Sequence, residues 1–285
     1  MSMYNLSEIN IYPIKSLGGI SLKEALIENK GLQYDRRWML IDEEGIFITQ
    51  RNHFELSLLQ VSIGNGKLTV SHKIVVSQTI SFFLDEHTGE NITVQIWDDI
   101  SHGLEVSSLV SEWFSAFMKM KVRLVVMPLA ERRAVDQRYA SNAEVVSFAD
   151  AYPCLIISQA SLDGLNLKLE EPILMDRFRP NFVFTGGTPH IEDTFSTFYL
   201  GDILFSAVKP CARCVLTTVN QQTGVRGQEP LRTLAGYRNF GNKILFGQNL
   251  VHEGSGIIRV GDQLKVASYK PKIQAPCNDF FPGRS

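Results

Sequence analysis

Lys209-Pro210-Cys211-Ala212-Arg213-Cys214 is the segment of this 285-residue chain whose residue types and spacing bear most directly on chemistry. A Cys-x-x-Cys pair can supply half of a zinc site, run thiol–disulfide exchange, or offer one soft thiolate to a transition metal. Structural zinc needs a second pair of ligands, but Cys154 and Cys277 stand alone and no His-x3-His segment accompanies them. A thioredoxin-like pair opens a helix, whereas Val215–Val219 reads as a β run. Two small cysteines packed at a strand start are the plain structural alternative. Lys209 and Arg213 favour a chemical role, because cations near a thiol populate the thiolate and attract an anionic cofactor. Other basic residues stand beside turn formers: Lys15-Ser16 before Gly18-Gly19, Arg36-Arg37 after Asp35, and Arg177, Arg179 and Asn181 around Pro180. The planar fork of arginine suits phosphate and carboxylate oxygens. Each of these residues taken singly also fits a solvated or salt-bridged surface group, and spacing alone does not bring them together.

The elements that must position these groups are mostly β. Apolar residues at 44% and charged residues at 20% describe a globular chain and exclude a disordered or collagen-like polymer. With 28 basic and 30 acidic side chains the net charge is −2, so no whole-chain basic field draws it to nucleic acid. No basic n-region and apolar core open the chain, and no run of about 18 apolar residues marks a membrane span. The expectation is a cytoplasmic protein with no membrane partner, and the length suggests one large or two medium domains.

Met39–Thr49 predicts a hairpin around Asp42-Glu43-Glu44-Gly45, and Leu58–Val70 another around Gly64-Asn65-Gly66. Short β runs follow at Lys73–Val76, Ile80–Leu84 and Ile92–Ile96. Leu109, Val110, Trp113, Phe114, Phe117 and Met118 recur at helical steps, which predicts an amphipathic helix over Leu109–Met120. Val122–Met127 reads as a strand, and Pro128 with the polar Glu131–Asn142 stretch as an interdomain loop. Beyond it Cys154–Ile157 reads as a buried strand, with Ser158 capping a helix through Leu169. Strands are expected near Asn181–Thr185, Phe198–Leu200, Ile203–Val208 and Val215–Val219, a helix end and loop at Gly236–Gly241, and a closing hairpin of Ile258–Val260 with Gln263–Ala267. The fold class is mixed and mainly β (α+β).

At these residues the chain resembles a known family. YPIKSLGG at 12–19, YDRRWMLID at 34–42, FADAYPCLIIS at 148–158, DRFRPNFVF at 176–184 and KPCARCVLTTV at 209–219 occur in the same order in proteins with a MOSC N-terminal β-barrel domain followed by a MOSC domain. GQEPLRTL at 227–234 and LFGQN at 245–249 continue the match, which covers about residues 3 to 268. The resemblance implies an N-terminal β-barrel domain over 1–127, a MOSC β-barrel domain with peripheral helices over 128–270, and a tail over 271–285.

The family includes the mitochondrial amidoxime-reducing components and bacterial relatives that act on N-hydroxylated compounds. It implies a molybdenum cofactor, a pterin whose dithiolene holds the metal, with one protein cysteinate. By this resemblance Cys214 takes the metal-ligand role and, with Asp150, the catalytic one. Ala212 and Arg213 lie at the pterin or metal. Lys15, Ser16 and Arg36 match the positions that approach the cofactor's phosphate and pterin, Arg179 and Asn181 those that hold the pterin. Asp150, Ala151 and Tyr152 match the loop beside the metal, where Asp150 orients substrate, relays a proton or merely caps its loop. Asn249 falls at another cofactor-contacting position. Asn220 stands where many relatives have aspartate. Bacterial reductases of the family often carry an iron–sulfur domain. Residues 271–285 hold one cysteine, so the expected electron source is a separate ferredoxin- or flavodoxin-like donor with its reductase. The expected activity is reduction of small N-hydroxylated substrates. The alternatives are a non-redox cofactor carrier or sulfur-transfer protein with a persulfide on Cys214, and a binding module that has lost catalysis.

Overall fold

Apolar–polar alternation along separate stretches of the chain bends one sheet into a closed barrel. The computed structural model describes residues 3–140 and 142–271. Its strands run in the ring order Cys154–Ser158, Phe182–Thr185, Tyr4–Ile11, Gln263–Tyr269, Phe195–Leu200, Ile203–Arg213 and Lys243–Glu253, and the last pairs back onto the first. Neighbours are antiparallel except Cys154–Ser158 beside Phe182–Thr185. Phe182, Phe184, Phe195, Phe198 and Phe205 are fully buried in the interior, each contributing roughly 1.5–3 kcal/mol by leaving water. Closure depends on Gly247, which sits at φ +83°; a Cβ there would lie 2.6 Å from Ile157 Cγ1 and 2.9 Å from the Ile156 carbonyl. Only glycine lets the two closing strands approach so nearly.

Tyr4–Ile11 belongs to this barrel, pairing with Phe182–Thr185 and Gln263–Tyr269, while Glu24–Glu28 pairs with Gly256–Arg259 in a separate three-stranded sheet. A cut at residue 127 therefore does not separate the sheets by chain order. From Trp38 to Val126 the chain builds an open half-barrel, with strands ordered Trp38–Ile41, Arg123–Val126, Asp99–Glu105 and Asn91–Ile96. Beside it lies a sheet of Leu59–Gly64, Lys67–His72 and Thr79–Phe83. The helix Ser108–Met118 buries Val110, Phe114 and Met118 in the core between them, while Leu109, expected on that stripe, is exposed.

Four expectations are corrected. Lys73–Val76 is the turn between two strands, with Ile74, Val75 and Val76 exposed, and the His72 N–H donating to the Gln78 carbonyl closes it. Val215–Thr218 is a 3-10 turn, because the Thr217 and Thr218 hydroxyls donate to the carbonyls of Cys214 and Val215 three residues back. Gly256–Arg259 and Gln263–Tyr269 are strands joined tightly at Gly261-Asp262, yet they pair into different sheets instead of with each other. The stretch read as an interdomain loop contains Arg133–Ala134, paired with Val145–Val146. Ser158 does cap its helix, accepting the Ser161 N–H, and that helix ends at Asn166. Among the described residues no helix is long and apolar enough to cross a membrane. The tail from residue 272, with Cys277, lies outside the described residues.

Candidate functional site

Pro210 shapes the segment that carries the cysteines. Lacking an N–H, it cannot complete the ladder, and the Ile203–Arg213 strand shifts register on either side of it against Lys243–Glu253. Such bulges re-aim side chains, and this strand delivers Cys211, Ala212 and Arg213 to a cleft at its end. Cys214 comes next as the residue preceding the 3-10 turn, so the pair closes a strand and does not begin one. The pair does not open an α-helix either, since the segment after Cys214 is one short 3-10 turn of Val215–Thr218 and not the expected strand.

The cleft encloses about 860 Å³ counted out to its open mouth. Its floor is cationic. Arg36 and Arg179 both lie over the Tyr12 ring, at 4.3 and 4.1 Å. Arg36 donates to both Asp35 oxygens at 2.9 and 2.7 Å and to the Arg179 carbonyl at 3.2 Å. Arg179 is buried, and neither terminal nitrogen has a partner; burial pushes its guanidinium down to about 10, against the opposing pull of Tyr12. Arg213 donates to the Phe246 and Phe178 carbonyls at 2.8 and 3.1 Å, leaving Nη2 buried without a partner. Ser16, Arg36 and Arg179 sit at φ +72°, +50° and +52°. Left-handed backbone at residues other than glycine costs about 1–3 kcal/mol each, and such strain gathers at functional sites.

Along one wall runs a charge network. Lys15 Nζ donates to Asp150 Oδ1 at 2.6 Å and to the Phe148 carbonyl at 2.7 Å. Arg51 Nη2 donates to Asp150 Oδ2 at 2.9 Å, and Arg51 Nε donates to Cys214 Sγ at 3.1 Å. Arg133 holds the loop behind, donating to the Ser147 and Asp150 carbonyls at 2.9 Å. Burial pushes Lys15 down to about 8, with Asp150 opposing the shift. Burial also pushes the Asp150 carboxyl up, but Lys15 and Arg51 together hold it far below the usual carboxylate range. Asp150 is ringed by protein yet keeps 52% of its side-chain surface accessible. That surface opens on the cleft, so water screens the pairs.

A cysteine sulfur, buried guanidinium nitrogens without partners and an ionised carboxylate in one cleft fit the family resemblance, and comparison with known proteins decides it. Residues 3–121 match the MOSC N-terminal beta barrel domain and residues 143–265 the MOSC domain. The mitochondrial amidoxime-reducing component 1 of Mus musculus is 34% identical over 279 residues, covering 90% of this chain and 80% of its own. The chain belongs to the MOSC family. The Homo sapiens amidoxime-reducing component 1 is 33% identical, covering 90% of this chain and 81% of its own. A molybdenum cofactor sulfurase of Bombyx mori is 27% identical, covering 96% of this chain but 34% of its own.

In this MOSC protein Lys15, Ser16, Arg36, Asp150, Ala151, Tyr152, Arg179, Asn181, Ala212, Arg213, Cys214 and Asn249 all line the one cleft. Asn181 is already committed there, its oxygen accepting from the Leu155 N–H and Arg36 and its nitrogen donating to the Asn10 carbonyl. Tyr152 keeps a buried hydroxyl with no partner. Lys209 lies over the Tyr139 ring, outside the lining, so the cation at the Cys214 sulfur is Arg51 and not a neighbour in sequence. Burial pushes the Cys211 thiol up, with Arg213 opposing. Asn220 accepts the N–H groups of Gln222 and Thr223, an acceptor-only duty that asparagine performs as aspartate would. Sequence reasoning missed Tyr12, Arg51 and Arg133; YPIKS placed Tyr12 inside a motif, while no pattern marked the arginines.

Proposed function

We propose that this MOSC protein is a molybdenum-cofactor-dependent oxidoreductase that reduces N-hydroxylated small molecules with electrons from a separate donor protein. The observation that carries the reading is a set of three buried guanidinium nitrogens without partners, both terminal nitrogens of Arg179 and Nη2 of Arg213, in the cleft that also holds Cys214. A buried charge without a partner is costly, so this donor set fits an anionic ligand that brings its own oxygens. A phosphate-bearing pterin does so, and a thiolate suits a metal already held by sulfur.

When bound, the cofactor supplies a two-electron centre for breaking an N–O bond, and two protons carry the oxygen away as water. The chain's own residues then have distinct duties. Arg36, Arg179 and Arg213 neutralise the cofactor's anionic groups and fix its orientation. Cys214 offers the soft sulfur ligand. Lys15, pushed down to about 8 by burial, still carries its proton at neutral pH and is placed to supply one from Nζ at the cleft wall. Asp150 stays ionised between Lys15 and Arg51, which supports an orienting duty over a proton relay.

The likeness to a molybdenum cofactor sulfurase favours a second reading, sulfur transfer through a persulfide on Cys214. One experiment separates the two: metal and labile-sulfur analysis of the purified protein, with reduction of a hydroxylamine by a chemical electron donor. Molybdenum with turnover supports the reductase. Labile sulfur without metal or turnover overturns it in favour of sulfur transfer.

A further inference from the structure

Arg51 contacts both reactive groups of the cleft wall, yet it stands 163 residues before Cys214 in the chain. Its guanidinium is mostly buried, with Nε on the Cys214 sulfur at 3.1 Å and Nη2 on Asp150 Oδ2 at 2.9 Å. Three devices hold it there. Its backbone N–H donates to Thr49 Oγ1 at 3.1 Å. The preceding Gln50 is fully buried, donates to the Ser16 carbonyl and accepts from Gln221 Nε2 at 3.0 Å, which ties Arg51 to the Ser16 turn in the cleft lining and to the loop that follows the 3-10 turn. The third is Trp97, whose ring lies 4.2 Å from the guanidinium carbon.

Trp97 occupies a costly position. It begins the two-residue turn between Asn91–Ile96 and Asp99–Glu105 with φ +56°, where glycine, asparagine or aspartate is the favoured choice. A bulky aromatic there is a backbone outlier. Its indole also packs edge-on against Phe47 at 4.8 Å, and Lys15 Nζ lies 5.1 Å from that same Phe47 ring. One aromatic pair thus backs both cations that hold Asp150.

We infer that Arg51, clamped by Trp97, is the positioning residue that aims the Cys214 sulfur into the cleft and locks it to Asp150. Resting on the reading of Cys214 as the metal ligand, this adds a specific geometry: one planar fork reaching a sulfur and a carboxylate at once. Lysine carries the same charge but lacks the rigid planar fork that fixes both directions together.

The test alkylates the metal-free full chain with iodoacetate and with iodoacetamide and follows Cys214 by peptide mass spectrometry. Both reagents attack the same ionised sulfur, so the ratio of their rates cancels the thiolate fraction and reads the positive charge beside it. Arg51→Met should lower the iodoacetate-to-iodoacetamide ratio at Cys214 about tenfold, equivalent to about 1.4 kcal/mol and reasonable for one charge lost beside a sulfur in a wet cleft. Arg51→Lys should keep the ratio within about twofold of wild type yet take up less molybdenum on reconstitution. Trp97→Ala, which leaves Arg51 present but unclamped, should lower the ratio by a smaller factor and serves where Arg51→Met does not fold. A merely structural Arg51 would change the unfolding midpoint and leave the ratio at its wild-type value, and that result overturns the proposal. Failure of the wild-type protein to bind molybdenum would overturn the functional reading without touching this ratio.

Discussion

Replacing Arg179 by methionine should make the empty protein more stable and the cofactor-loaded protein less so. Burial lowers the Arg179 guanidinium from 12.5 to about 10, and at about 1.4 kcal/mol per tenfold change in proton affinity the buried cation costs the fold about 3 kcal/mol. The sign comes from linkage: the folded state holds this proton less tightly than the unfolded chain, so the cost is present in full below about pH 10 and fades as pH rises from there towards 12.5. Methionine removes the charge and keeps an apolar stem, giving up the contact with Tyr12, itself worth roughly 0.5–2 kcal/mol. The net gain for the empty protein is about 1–2 kcal/mol, or roughly 2–4 °C of unfolding midpoint per kcal/mol for a chain of this size. With cofactor present, loss of a buried charge partner should weaken binding by about 2–5 kcal/mol and cancel the ligand-induced rise in midpoint. Thermal unfolding with and without cofactor reads both effects. An empty variant that unfolds below wild type would refute the claim that Arg179 stands uncompensated in wait for an anion.

Arg36→Ala should lower molybdenum occupancy, by about 2–5 kcal/mol of cofactor affinity, and unchanged occupancy in metal analysis counts against its role. Cys214→Ser should abolish hydroxylamine reduction per molybdenum. Cys211→Ser should keep most of it and lose about 1 kcal/mol of stability; equal losses would point to a redox pair instead. Glu192 is fully buried, and burial followed by the charge of Asp193 pushes it up to about 7. Because the folded state then binds the proton more tightly, stability should fall by about 3 kcal/mol as pH rises from about 4.5 to 7. Glu192→Gln should flatten the unfolding midpoint across that window, and an unaltered slope would remove Glu192 as its source.

Local periodicity made much of this fold legible. The helix Ser108–Met118 and the hairpin turning at Asn65-Gly66 arise from apolar spacing and turn chemistry. Local pattern failed where a side chain competed with the ladder. Val215–Val219 has the composition of a strand, but threonine hydroxyls capture the carbonyls behind them and curl it into a turn. Pairing across the chain was beyond reach for the same reason that Arg51 was. It sits in the unpatterned stretch Gln50-Arg51-Asn52, and only barrel closure and the Gln50–Gln221 contact carry it to Cys214. Cleft residues found by resemblance lie inside ordered motifs, whereas Arg133 lies in a polar stretch that reads as a loop.

The claim that Cys214 places its sulfur on molybdenum in this cleft is tested most directly by X-ray absorption at the molybdenum edge of the reconstituted protein, with Cys214→Ser prepared alongside. The account predicts one sulfur neighbour fewer in the variant at matched metal content. An identical sulfur shell in the two proteins would contradict it.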